Sequence, residues 1–170
     1  MWVVLLSPFS VLNWRGRSKE EMEVQVEEEE EAELDMLNII SFIQANLQHS
    51  IAASRVISRT VIVKGTDMAL IQEPWHREGR IRGLNIPGYT LFSASGKDRP
   101  RACILTKNET VWMLPGSSCR DLVAVLIKYN EEGAERRLVV CSAYLPYDSK
   151  DPPPSKELEE LGRYCENENL

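Results

Sequence analysis

The chain has 170 residues, 43% of them hydrophobic and 27% charged, which suits one globular domain with a sizeable core and excludes a repeat array, a collagen or a wholly disordered chain. Its net charge of −6 argues at first against a polyanionic partner. The charge is unevenly spread, however: residues 1–35 hold three basic and ten acidic side chains (−7), residues 36–170 hold 17 and 16 (+1), and Asn46 to Arg137 alone holds 14 and 9 (+5), so a nucleic-acid partner stays open.

In chain order, Met1 to Trp14 is apolar but too short, and too interrupted by Pro8, to span a bilayer. It lacks the basic start and the small residues at a cleavage site that mark a signal peptide, so an intracellular location, nuclear or cytoplasmic, is expected and no membrane association. Glu27 to Glu31 are five consecutive carboxylates, which repel one another and bury nothing. Residues 1–35 therefore read as an acidic, disordered leader and residues 36–170 as the folded unit.

From Leu37 the pattern changes to short apolar runs bounded by turn residues. Leu37 to Ala45 predicts a buried strand. Ala53, Val56, Ile57, Thr60 and Val61 fall at the spacing of one helix face, with Ser50 or Asn46 as the cap and Gly65 as the stop. Asp67 to Gln72 predicts a second strand, and a long loop with Pro74, Gly79, Gly83, Pro87 and Gly88 follows. Tyr89–Ser93, Arg101–Lys107, Thr110–Leu114, Leu122–Tyr129 and Arg137–Tyr144 read as further strands, the last two joined across Asn130 to Gly133 as a hairpin. Three prolines at 152–154 stop the sheet, and Ser155 to Glu168 predicts a helix with Leu158, Leu161 and Cys165 on one face. The order predicts an α/β layered, sheet-rich domain.

Several chemistries are absent from the sequence. Gly96-Lys97 has neither the spacing nor the following hydroxyl of a phosphate-binding loop, and no Gly-x-Ser-x-Gly or His-Glu-x-x-His motif occurs. Cys103, Cys119, Cys141 and Cys165 form no Cys-x-x-Cys pair, and His49 and His76 are the only imidazoles, so a structural zinc site is not expected. Three of the cysteines lie in or beside apolar runs and read as buried, reduced thiols. What remains is a polar residue at the end of each of three apolar strands: Asn46, Glu73 and Tyr144. Strand ends at one edge of a layered fold converge on a shared site. Each also has a plain structural reading, as a helix cap, a solvated strand terminus before Pro74 and a core ring with its hydroxyl satisfied.

Taken together, Gln44-Ala-Asn-Leu-Gln-His49, Ala69-Leu-Ile-Gln-Glu-Pro-Trp75, Arg101-Ala-Cys-Ile-Leu-Thr-Lys107 and Ser142-Ala-Tyr-Leu-Pro-Tyr-Asp-Ser149 resemble the endonuclease/exonuclease/phosphatase family. More narrowly they look like the endonuclease domain that begins the reverse-transcriptase polyprotein of Jockey-like non-LTR retrotransposons. The resemblance covers Leu37 to Leu170 and leaves out the leader. It implies a truncated two-layer αβ sandwich, related in fold to pancreatic DNase and the apurinic endonucleases, that hydrolyses DNA phosphodiesters with Mg²⁺ or Mn²⁺. Glu73 matches the family's metal-binding glutamate, Asn46 the asparagine near metal and phosphate, and Tyr144 the tyrosine that donates to a phosphate oxygen. Gln48 stands where many relatives carry an acidic residue. Arg77, Arg80 and Arg82 beside Trp75, and Lys97, Arg99 and Arg101 before the third motif, would hold flanking phosphates of the DNA; scattered solvated charges are the competing reading.

The resemblance also implies a later Gly-Asp-x-Asn motif and a final Ser-Asp-His motif, and neither follows Tyr144. By the family's order His49 and His76 lie too early to substitute. The chain therefore reads as the N-terminal half of a nuclease domain, inactive or nearly so alone, needing the rest of a polyprotein or a missing C-terminal half. A half-sandwich would leave one apolar sheet face and edge exposed. Two other readings stand beside it: a noncatalytic fragment that binds nucleic acid or protein, and an enzyme of small phosphate esters or phosphoinositides on a related fold.

Overall fold

The computed structural model describes residues 2–5, 11–13, 40–94, 99–107, 110–131, 133–146 and 153–170. Among these residues eleven strands and two α-helices follow one another as β1 (Trp2–Leu5), β2 (Val11–Asn13), β3 (Ser41–Asn46), α1 (Ile51–Lys64), β4 (Met68–Gln72), β5 (His76–Arg77), β6 (Arg80–Ile81), β7 (Thr90–Ser93), β8 (Ala102–Thr106), β9 (Val111–Met113), β10 (Leu122–Glu131), β11 (Ala134–Ala143) and α2 (Lys156–Asn167). They form one sheet in the order β1-β11-β10-β9, a second in the order β2-β3-β4-β8-β7, and a small β5-β6 hairpin.

Alternation along the strands explains how the layers stack, because successive side chains of a strand point to opposite faces. Phe42, Met68, Leu70, Ala102 and Ile104 of the second sheet meet Val123, Val125, Ile127, Leu138 and Val140 of the first in one apolar layer between the sheets. The intervening residues Ile43, Ala69, Ile71, Cys103 and Leu105 face outward and are covered by Ile57 and Val61 of α1 with Leu84 and Ile86. On the far side Ala124, Val139 and Cys141 are covered by Leu161 and Cys165 of α2. The result is helix, sheet, sheet, helix: two αβ layers face to face. The apolar sheet face expected to lie open is therefore covered, since each helix closes one outer face and the sheets close each other.

The βαβ unit is the part that positions the site. Strands β3 and β4 run parallel, with α1 as the crossover. Ser50 caps α1 by accepting a hydrogen bond from the Ala53 amide at 3.3 Å, and Gly65 ends it in the left-handed region at φ 62°. The buried face keeps Ile57 and Val61 of the predicted one but is turned at its start. It runs through Ser54, Ile57 and Val61, while Val56 is 65% and Val63 76% exposed. The reason lies in the loop before β7: Leu84 and Ile86 fill the groove beside the helix, and the Ser58 hydroxyl donates to the Gly83 carbonyl at 2.6 Å. That turns the small Ser54 side toward the loop.

Other differences are local. The β10–β11 ladder runs on to Glu131 opposite Ala134, so the turn is shorter than the four residues predicted. The long loop after β4 contains the β5-β6 hairpin. Strand β3 begins at Ser41, and Leu37 to Ile39 of the predicted strand lie outside the described residues. Within the predicted leader, β1 pairs parallel with β11 and β2 antiparallel with β3, so its apolar start adds a strand to each sheet. The acidic run Glu27 to Glu31 lies outside the described residues. Cys103, Cys141 and Cys165 are buried free thiols; burial pushes Cys141 up to about 12 and raises the other two. Among the described residues no helix is long and apolar enough to cross a membrane.

Leu70 sits fully buried in the layer between the sheets, opposite Ile104 on β8. Leu70→Ala is expected to lower stability by about 3 kcal/mol, because the two sheets cannot close on the void. Urea unfolding followed by circular dichroism measures this, and a loss under about 1 kcal/mol would mean that the sheets are not packed there.

Candidate active site at one edge of the sandwich

Because β3 and β4 are parallel, their C-terminal ends lie at the same edge, with Asn46 paired to Gln72. The start of β8 reaches that edge too, Ala102 pairing with Gln72. The end of β11 is tied there across the sandwich: the buried Ser142 hydroxyl donates to the Ile71 carbonyl at 3.1 Å, and Tyr144 follows two residues later. Asn46, Glu73 and Tyr144 therefore start from one edge.

The backbone between them is pinned. Leu47 N–H donates to Gln72 O at 2.9 Å, His49 N–H to Glu73 O at 2.8 Å, and Glu73 N–H to Arg101 O at 2.8 Å. Three non-glycine residues of this corner are left-handed: Gln48 at φ 47°, His49 at φ 54° and Glu73 at φ 47°. Such conformations cost of order 1 kcal/mol each and persist where the surroundings dictate them. The Asn46 side chain does not cap α1, which Ser50 does; its Oδ1 accepts from Gln48 N–H at 2.8 Å, an Asx turn that sets the 46–49 corner.

Glu73 is partly buried, its side chain 19% exposed, with Oε1 3.8 Å from His49 Nε2. The other nitrogen of that ring, Nδ1, donates to the Pro74 carbonyl at 3.2 Å. His76 lies next to it, ring centroids 6.3 Å apart. Sequence reasoning set both histidines aside by their order in the chain; a turn brings His49 beside Glu73, and His76 lies against His49. Both ring nitrogens of His76 are shielded from solvent, and neither makes a well-formed hydrogen bond among the described residues. Burial first, then the His49 ring, push the His76 imidazole below its ordinary value, the Pro74 carbonyl opposing them without reversing the direction. A histidine depressed in the folded state is neutral there, so its contribution is complete above the unfolded value near 6.5 and is lost as pH falls through the folded one. His76→Phe is accordingly expected to gain about 1 kcal/mol near pH 7 by removing two buried nitrogens that lack well-formed hydrogen bonds. The same variant should flatten the decline of stability below pH ~6.5, which urea midpoints across that range would reveal.

Arg101 belongs to the scaffold of the site rather than to the phosphate-holding loops where its charge first put it. Its guanidinium forms a two-point fork with the Asp121 carboxylate and lies 4.6 Å over the Tyr144 ring. Tyr144 N–H in turn donates to the Asp121 carbonyl at 2.7 Å. Fork and stacking together fix the plane of the phenol. Asp121, twenty residues from Arg101 in the chain, had no signal in the sequence.

Arg77 and Arg80 face each other across the β5-β6 hairpin. Glu78 sits 3.4 Å from Arg77 and 3.5 Å from Arg82. Arg99 lies close enough to His76 to depress it, and Lys97 is outside the described residues. No three His, Cys, Asp or Glu side chains among the described residues converge into a ready metal cluster.

A helix-sheet-sheet-helix sandwich with polar residues at the strand ends of one edge has the architecture of the endonuclease/exonuclease/phosphatase fold, as the sequence motifs implied. Among solved structures the chain is similar to the endonuclease domain of TRAS1, a telomere-specific non-LTR retrotransposon, at 22% identity over 75% of this chain and 52% of that one, with a TM-score of 0.53. Also similar are a humanized D. rerio TDP2 (14% identity, 75% of this chain and 54% of that one, TM-score 0.45) and D. rerio TDP2 complexed with a single-strand DNA product (14%, 75% and 53%, TM-score 0.44). The chain thus spans about half the length of the TRAS1 domain. No family model and no curated protein matches the sequence.

Proposed function

We propose that the chain is a retrotransposon-derived, Mg²⁺- or Mn²⁺-dependent DNA endonuclease domain that binds DNA and, lacking the later Gly-Asp-x-Asn and Ser-Asp-His motifs, turns over slowly or not at all alone. Its working partner would be the remainder of a polyprotein, in an intracellular setting. The observation that supports this reading is the common edge of the sandwich from which Asn46, Glu73 and Tyr144 start, with an arginine-bearing hairpin beside it.

The donor set suits a hard cation: a partly buried carboxylate with an amide, completed by water, is what Mg²⁺ ordinarily takes. Bound at Glu73, the ion would supply charge stabilisation at the scissile phosphate. Asn46 already spends one lone pair on Gln48 N–H, which leaves its amide N–H groups to donate to a phosphate oxygen. Tyr144, its ring held under Arg101, donates its phenol proton to an oxygen on which charge develops. Arg77, Arg80, Arg82 and Arg99 hold flanking phosphates.

Duplex binding and nicking of supercoiled plasmid, each with Mg²⁺, Mn²⁺ or chelator, test the proposal. Binding strengthened by either ion and weakened by chelator is the expected outcome, with nicking slow or undetected. Salt-sensitive binding indifferent to chelator would instead favour the noncatalytic nucleic-acid-binding fragment, and no DNA binding at all would sink both.

A further inference from the structure

Resting on the reading that Glu73 holds a divalent cation, we propose that His49 is a second ligand to that ion through Nε2, and that this imidazole shifts the site's preference from Mg²⁺ toward Mn²⁺.

The first support is the tautomer. A carbonyl oxygen only accepts hydrogen bonds, so the 3.2 Å contact between His49 Nδ1 and Pro74 O places a proton on Nδ1. In the neutral ring the lone pair then sits on Nε2, and that atom is 3.8 Å from Glu73 Oε1. Two acceptors near each other with no proton between them repel. A cation held between them would turn that repulsion into two attractions.

The second support is the surroundings of the ring. Imidazoles that bind metals ordinarily donate their other N–H to a carbonyl or carboxylate, which fixes orientation and raises the basicity of the ligating nitrogen. The Pro74 carbonyl fills that role here. The third is the backbone, since His49 and Glu73 are both left-handed and are tied by His49 N–H to Glu73 O at 2.8 Å. Strain at two adjoining non-glycine positions brings the two donors side by side, which a purely structural turn could achieve more cheaply with glycine. An amide, a carboxylate and an imidazole form a mixed set in which Mn²⁺ tolerates nitrogen better than Mg²⁺, whose preference is for oxygen.

Calorimetric titration of the whole chain with MgCl₂ and with MnCl₂ near pH 8, where an imidazole is neutral, separates the possibilities without requiring activity. The native chain is expected to bind Mn²⁺ at least about tenfold more tightly than Mg²⁺. His49→Gly and His49→Asn both tolerate the left-handed backbone and so keep the turn. Each should weaken Mn²⁺ by about tenfold and Mg²⁺ by less than about threefold, while Glu73→Gln loses both ions. An unchanged Mn²⁺ to Mg²⁺ ratio in the His49 variants, with both ions lost in Glu73→Gln, overturns the role of His49 and leaves Glu73 as the metal carboxylate. If the native chain binds neither ion, both the inference and the metal-dependent reading fail. Should His49→Gly not fold, His49→Asn decides.

Discussion

Glu73→Ala is expected to remove the metal-dependent part of DNA affinity, together with any metal-dependent nicking, by on the order of a hundredfold or more, while leaving the fold in place. The size follows from what one carboxylate would do in the proposed metal site. A cation bound mainly by water and one or two protein groups has little to fall back on when its charged ligand is taken away. The fold survives because Glu73 is fixed by its backbone: its N–H donates to Arg101 O and its carbonyl accepts from His49 N–H, and alanine keeps both. Glu73→Gln preserves shape and removes charge, so it should behave like alanine in binding and like wild type in stability. Circular dichroism melts run beside anisotropy titrations with Mg²⁺ and with chelator distinguish the two effects. If both variants retain full metal dependence, Glu73 is only a strand terminus, the plainer reading its position in the sequence also allowed.

How much of this was legible beforehand depended on the range over which each signal acts. Strands buried on both faces, such as Met68–Gln72 and Ala102–Thr106, appear as unbroken apolar runs between polar breaks, and both were placed within a residue or two. The stop at Gly65 and, of the two caps the sequence offers, Ser50 rather than Asn46 are local chemistry. The buried face of α1 keeps Ile57 and Val61 of the predicted face but exchanges Val56 for Ser54, because it is decided in part by Leu84 and Ile86, more than twenty residues downstream. Two-residue strands such as β5 and β6 carry no periodicity to read. At the site, the ends of β3, β4 and β11 could be located, but not what surrounds them. His49 reaches Glu73 only because two successive residues turn left-handed, and the Arg101 fork to Asp121 joins one strand to a distant turn. Neither composition nor spacing encodes such contacts.

The same corner shows why its polar residues are held so firmly. Ser142, fully buried, bonds the first sheet to the second at Ile71, immediately before Gln72 and Glu73. Arg101 bonds Glu73 through its backbone and Tyr144 through its side chain. Movement of one sheet against the other would therefore move the phenol relative to the carboxylate, so packing between the sheets sets the precision of the site as well as the stability of the fold.

Replacing Arg77, Arg80, Arg82 and Arg99 together by glutamine is expected to lower duplex affinity by at least about fiftyfold near 0.1 M salt and to flatten the dependence of log affinity on log salt by about 2 to 4. Four phosphate contacts would give the upper figure, since each releases close to one counterion. Glu78 reduces it, because its carboxylate stands 3.4 Å from Arg77 and 3.5 Å from Arg82 and offsets part of their charge before DNA arrives. Glu78→Gln should for that reason tighten binding several-fold and steepen the salt dependence by about 1 to 2. Neither change is expected to alter the metal dependence proposed for Glu73, and the quadruple variant should melt within a degree or two of wild type because these side chains are largely solvated. Anisotropy titrations at four or five salt concentrations measure the slopes. A quadruple variant with an unaltered slope would make these arginines ordinary solvated charges and move the DNA path to another face of the sandwich.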